Sequence, residues 1–168
     1  AVARRERYAA IRAKLAAGQV SGIEELITLN LDIRQFAQDA IQYAESPDLV
    51  RAFWKGISAV KVLDPACGSG AFLFAALNIL YDLYDACLER MEQFVASAPE
   101  GSGARQQYSD FRDVLIRITR HPNRAYFIYK SIILDNLYGV DIMDEAVEIC
   151  KLRLFLKLAA QLESADQI

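Results

Sequence analysis

The 168-residue sequence is poor in several chemically useful residues. It has a single histidine, His121, and three cysteines, Cys67, Cys87 and Cys150. One imidazole argues against a Ser-His-Asp or Cys-His nucleophile. The thiols are widely spaced and form no CxxC pair, so a structural zinc site is not expected and no metal ligand is assigned. They read instead as reduced cysteines of a cytoplasmic protein. An excess of positive charge is also missing. Nineteen Lys and Arg against 22 Asp and Glu give a net charge of -3, unlike a chain that grips nucleic acid unaided. A local basic patch could still touch one. No apolar run reaches the ~18–20 residues of a membrane span, so no membrane partner is expected. The N-terminus AVARRERYAAIRAKL has no apolar signal core and no initiator Met, which suggests a chain cut from something longer. Pro47, Pro65, Pro99 and Pro122 are never adjacent, and none follows an Asn. What is present is a hydrophobic content of 54% against 24% charged residues. That is enough for a buried core in one domain of ordinary size, and it excludes wholesale disorder.

Apolar periodicity predicts seven helices and two strands. Tyr8, Ile11 and Leu15 mark a helix over 2–17 that stops at Gly18. Leu26, Leu29, Ile33, Phe36, Ala40 and Tyr43 mark another over 22–43, with Ser21 as its cap. Ser46-Pro47 opens a third, which should end at Gly56. VKVLD (60–64) is a short β-branched run stopped by Pro65, so it reads as a strand. A long helix follows over 70–96. Its stripe of Leu73, Leu77, Leu80, Tyr84, Cys87, Met91 and Phe94 reads as a packing face. SAPEGSGARQQ (97–107) is loop-like, and helices follow over 108–120 and from Pro122 to about 135. LYGVDI (137–142) is the second strand. Asp144 should then cap a last helix carrying Val147, Cys150, Leu154, Leu158 and Leu162. Both strands have the strand–turn–helix grammar of a parallel α/β sheet, yet two strands alone make an unfinished sheet.

The segment VLDPACGSGAFLFAAL (62–77) carries the strongest chemical signal. A strand ends in an acid, Asp64, and a glycine-containing turn opens a helix. Gly68 and Gly70 permit positive φ and close backbone approach to a ligand. The helix N-terminus offers N–H groups to an anion, and Asp64 can accept a hydrogen bond from an amine. A ligand bearing both an ammonium and a carboxylate suits this turn, and S-adenosylmethionine bears both. A dinucleotide fingerprint fits poorly. Leu73 stands where a third glycine is needed, and the next strand-end acid, Asp141, lies 77 residues beyond Asp64 instead of ~20. A Walker phosphate loop is excluded, because no GK[ST] follows.

DPACGSGAFL (64–73) closely resembles motif I of adenine-specific DNA methyltransferases of the amino-methylating type. Methyltransferases in general more often carry Gly where Ala66 stands. NLYGVDIMDEAVEICKLRLFL (136–156) resembles the strand, acid and helix that those enzymes use next. The likeness is greatest to large restriction–modification enzymes and their phage-defence relatives. It implies an incomplete Rossmann-like methyltransferase fold, α/β but mostly helical, with two parallel strands. Residues 1–58 would form an N-terminal helical region. Residues 59–168 would form the front half of an S-adenosylmethionine-binding domain, with a helical insert over 97–135.

The resemblance also implies roles. Asp64 would sit near the methionine amine, and Ala66, Cys67, Gly68 and Gly70 would let the turn wrap the methionine and ribose. Phe72 would border the cofactor, the alternative being a buried core Phe. Asp141 would accept from both ribose hydroxyls, the alternative being a helix-capping acid. Ile142 would pack on the adenine ring. Cys67 is not expected to act as a nucleophile, because no base is recognisable beside it. No catalytic residue is assigned, since the family's Asn-Pro-Pro-Tyr type motif is absent. The expectation is a DNA-binding, adenine-methylating parent enzyme and a chain that does not methylate DNA alone. Arg105, Arg112, Arg117, Arg120, Arg124 and Lys130 of the insert read as a solvated face in preference to phosphate contacts. Two rival readings are a methyltransferase fragment acting on RNA, protein or a small molecule, and a non-catalytic helical module with a relict nucleotide fold.

Overall fold

A computed structural model describes residues 2–19, 33–98 and 106–163. The chain divides into two units, residues 1–40 and 41–168. In the first unit, α1 (Val2–Ala16) ends where Gly18 takes φ +66°. There Gln19 N–H donates to Lys14 O at 2.9 Å, the left-handed stop that glycine supplies. The predicted cap Ser21 and the stripe residues Leu26 and Leu29 lie outside the described residues. The described part of the second predicted helix is α2 (Ile33–Gln42).

The second unit is built around a single long helix. It starts with α3 (Pro47–Ala59), in which Ser46 accepts from Asp48 N–H and Pro47 takes the first turn. This helix runs through Gly56, where the sequence reading ends it. Burial of Ile57 carries the last turn past the glycine. The first strand is accordingly short, β1 (Val62–Asp64), because Val60 serves as the C-cap of α3. Helix α4 (Ala71–Ala96) follows. Its stripe of Leu73, Leu77, Leu80, Tyr84, Cys87 and Met91 is buried in the core with Ile41, Val50, Ile128 and Ile132. By length and composition α4 is apolar enough to cross a membrane, although Asp82, Asp85 and Glu89 interrupt its apolar run. In this chain that stripe is covered by neighbouring elements of the same unit.

Helices α5 (Ser109–Ile118) and α6 (Arg124–Ser131) pack on α4. Pro122 does not start α6. Asn123 caps it, accepting from Tyr126 N–H at 2.8 Å. The helix loosens into a π-helical turn, Ile132–Asn136, before β2 (Leu137–Gly139) and α7 (Asp144–Glu163). The strands pair in parallel, Val62 with Leu137, Leu63 with Tyr138 and Asp64 with Gly139.

Asn136 fixes that register. It is fully buried, and its Nδ2 donates to Ile57 O and Val60 O, both at 2.8 Å. Its Oδ1 accepts from Tyr84 OH at 3.1 Å. One amide thus joins the end of α3, the middle of α4 and the start of β2, with its own polar atoms fully buried and all of them bonded. Among the described residues no buried side-chain polar atom lacks a partner.

Candidate functional site

The two strands end side by side, so the turn after each meets the other. Pro65 has no N–H and stops β1. Asp64 then folds back, its Oδ1 accepting from Ala66 N–H at 3.2 Å. Gly68 and Gly70 take φ +50° and +88°, values that cost an L-residue roughly 1–2 kcal/mol. Gly70 N–H donates to Cys67 O at 2.8 Å, and Phe74 N–H donates to Gly70 O at 2.9 Å, which opens α4. The second turn is hydrogen-bonded to the first. Val140 N–H donates to Asp64 O at 2.9 Å, and Cys67 N–H donates to Val140 O at 3.0 Å.

Asp141 completes this joint. Its Oδ2 accepts from Gly68 N–H at 2.7 Å and its Oδ1 from Met143 N–H at 3.0 Å. These donors, Met143 first and then Gly68, hold its carboxyl below the usual carboxylate range, because they stabilise the charged form. Asp144 is itself the first residue of α7, not the residue before it. The acid bonded ahead of that helix is therefore Asp141. Each Asp141 oxygen has capacity for a further donor, so the carboxylate can bridge the two turns and still receive a pair of neighbouring hydroxyls.

The sequence-predicted residues fall into two groups. Asp64, Ala66, Cys67, Gly68 and Asp141 are joined by this hydrogen-bonded turn pair, with Gly70 closing it from inside. Phe72 and Ile142 stand at its surface, 59% and 99% exposed. The core alternative for Phe72 is thereby set aside. Cys67 contributes its backbone to the joint, while its thiol is buried. Burial, and then the neighbouring Cys67 thiol, push the Cys150 thiol up.

Sequence reasoning missed three residues. A Cβ on Gly139 would lie 2.9 Å from Leu73 Cδ1 and 3.1 Å from Cys67 Sγ, so only glycine lets β2 approach the root of α4. An isolated glycine within a strand was the available signal. A Cβ on Gly70 would lie 2.5 Å from Cys150 Sγ, which makes Cys150 a partner of the turn as well as a stripe residue. Arg153 on α7 donates to Ser69 O at 2.6 Å and Ser69 Oγ at 3.0 Å, and its guanidinium lies 4.7 Å over the Phe74 ring. No local pattern announces a contact spanning 84 positions. In the insert, Arg124 pairs with Glu92 at 2.5 Å and Asp85 at 3.5 Å, so that cation ties α6 to α4.

β1 thus ends in Asp64 and leads into the left-handed glycine turn, and Asp141 lies two residues past the end of β2. Residues 38–166 match the family described as MmeI, DNA-methyltransferase domain, and the chain belongs to that family. A similar protein is described as "Putative type II restriction enzyme and methyltransferase" of Methanocaldococcus jannaschii. It is 35% identical over 120 residues, which are 71% of this chain and 8% of that protein. The chain thus spans under a tenth of that relative's length. No solved structure matches.

Proposed function

We propose that residues 59–168 are the S-adenosylmethionine-binding front half of a Rossmann-like domain, in a protein that methylates the exocyclic amine of adenine in DNA. The observation that carries the reading is the turn pair: two left-handed glycines and a carboxylate, Asp141, that accepts from the backbone N–H groups of Gly68 and Met143 across both turns. The family supports the reaction class. The DPACGSG string, with Ala66 where other methyltransferases more often have Gly, supports adenine amine as the acceptor.

The residues present suit the cofactor. Asp141, ionised at neutral pH as an ordinary carboxylate is, would receive both ribose hydroxyls. Asp64 would hold the methionine amine. The free N–H groups of the first turn of α4 would face the methionine carboxylate. Phe72 and Ile142 would cover the cofactor's sides with apolar surface, Ile142 against the adenine ring. Gly68 and Gly70 would bring backbone, in place of side chains, against it. When bound, the cofactor would supply an activated methyl group on a sulfonium. Extraction of the target base and acceptance of its amino protons are not assigned to residues of this sequence, which has no Asn-Pro step. DNA contact is therefore a property of the full-length protein, which we place in the cytoplasm among restriction–modification or phage-defence enzymes.

Calorimetric titration with S-adenosylmethionine and with its demethylated product tests the cofactor reading. Both should bind, and Asp141→Ala should lose at least a hundredfold in affinity. A folded chain that binds neither would favour the relict-module reading. Digestion of DNA treated with the full-length protein should yield N6-methyladenine. Methylcytosine alone would overturn the acceptor assignment. The 168-residue chain should transfer no methyl group by itself.

A further inference from the structure

The glycine turn is held from two sides. On the strand side, Cys67 N–H donates to Val140 O and Gly68 N–H to Asp141. On the other side, one face of α7 meets it. Cys150 and Arg153 are three positions apart on that helix and so share a face. Cys150 Sγ fills the space beside Gly70. Arg153 Nη1 donates to Ser69 O at 2.6 Å and to Ser69 Oγ at 3.0 Å. The Ser69–Gly70 peptide is thereby fixed at both ends, since its C=O accepts from Arg153 and its N–H donates to Cys67 O at 2.8 Å. The guanidinium lies 4.7 Å over the ring of Phe74, in the first turn of α4. Among the described residues no carboxylate forms an ion pair with it, so its charge is left uncompensated. For stability this is a poor arrangement. Exposed contacts of this kind contribute little, and a cation at a helix N-terminus meets the positive end of the helix dipole. For a turn that receives an anion the same arrangement is favourable.

We propose that Arg153 is a positioning residue for the amino-acid end of S-adenosylmethionine. It holds the Ser69–Gly70 peptide in the conformation that the cofactor meets, and it keeps a positive charge beside the N–H groups offered to the carboxylate. This role rests on the cofactor reading above. Arg153 acts through Ser69 and through its charge, without touching the cofactor. In its absence the Ser69 carbonyl loses its donor and the peptide is held at one end only. The turn must then be ordered when the cofactor binds, and that ordering is subtracted from affinity. The adenosine end is assigned to Asp141 and Ile142, so it depends on Arg153 less.

The test titrates the full-length protein with two ligands, S-adenosylmethionine and 5′-methylthioadenosine. The second keeps the adenosine and the sulfur but lacks the ammonium and the carboxylate. Arg153→Met retains most of the stem and removes every donor and the charge. It should lower affinity for S-adenosylmethionine about tenfold, within the usual range of coupling between sites, and change that for 5′-methylthioadenosine less than about twofold. Arg153→Lys can reach both Ser69 oxygens from one nitrogen, as Nη1 does, and should restore affinity to within about threefold. The urea midpoint of each variant should stay close to that of the unsubstituted protein. Equal losses for the two ligands, no rescue by Lys, or a loss of affinity that follows a lowered urea midpoint would leave Arg153 a structural staple and overturn the proposal. Unchanged affinity of Arg153→Met for S-adenosylmethionine would overturn it while the cofactor reading stands. An unsubstituted protein that is folded and binds neither ligand would remove the cofactor reading, and the positioning role with it.

Discussion

The chain uses the strand–turn–helix unit twice, and the two copies solve different problems. In β1–α4 the turn is made by backbone, with two left-handed glycines and a helix whose apolar stripe vanishes into the core. In β2–α7 the turn is made by a side chain, the Asp141 carboxylate bonded to Gly68 and Met143. Its helix also leaves Ile149, Leu152, Phe155 and Leu156 exposed. The first copy acts as the scaffold, and the second is held to it by hydrogen bonds, by Arg153 and by Cys150 and Leu154, which are buried in the same core. The stability of the first should therefore depend on shape and that of the second on shape and charge together.

The sharpest way to break this contrast is at the two glycines. Gly70→Ala combines a left-handed φ with a Cβ placed 2.5 Å from Cys150 Sγ, and should cost about 2–4 kcal/mol in urea unfolding. Making it in a Cys150→Ala background should remove the overpacking part. Gly68→Ala carries only the backbone penalty, since nothing lies within 4 Å of its added Cβ, and should cost about 1–2 kcal/mol. Equal costs for the two would mean that the packing of α7 on the first turn does not matter.

Smaller effects sharpen the second copy. Arg153→Ala removes an exposed clamp and should cost no more than about 1 kcal/mol. Its clearer signature should be faster amide exchange at Ser69 and Gly68. The least effect is that of pH. Asp141 titrates below the ordinary carboxylate range in the folded chain. Its contribution is thus complete above the unfolded value of about 3.9 and fades as pH falls through the lower folded value. Exchange protection at Gly68 and Met143 should decline in that acidic window, and Asp141→Asn should abolish the dependence.

Much of this was legible from residues alone, because it rests on local signals. The long stripe of α4, Ser46-Pro47, Pro65 and the glycine turn all act within a few positions of themselves, and the two strands could be placed by their flanking turns. Boundaries failed where tertiary burial overrode a local stop, as Ile57 does at Gly56. They failed again where a strand's end was taken by a long-range bond, as at Val140. Asn136, Gly139 and Arg153 were illegible as structural residues for the same reason. Their partners Tyr84, Leu73 and Ser69 lie 52 to 84 positions away, beyond the reach of any periodicity.

The parallel register also has a consequence for the order of assembly. Val62 and Leu137 are paired across 75 positions, so the halves of the turn pair cannot meet until the helices between them have collapsed onto α4. Pairings this distant form late and slowly. On a refolding time course, helical signal should therefore recover before any ligand affinity does. During synthesis the joint stays open until the ribosome has released the start of α7.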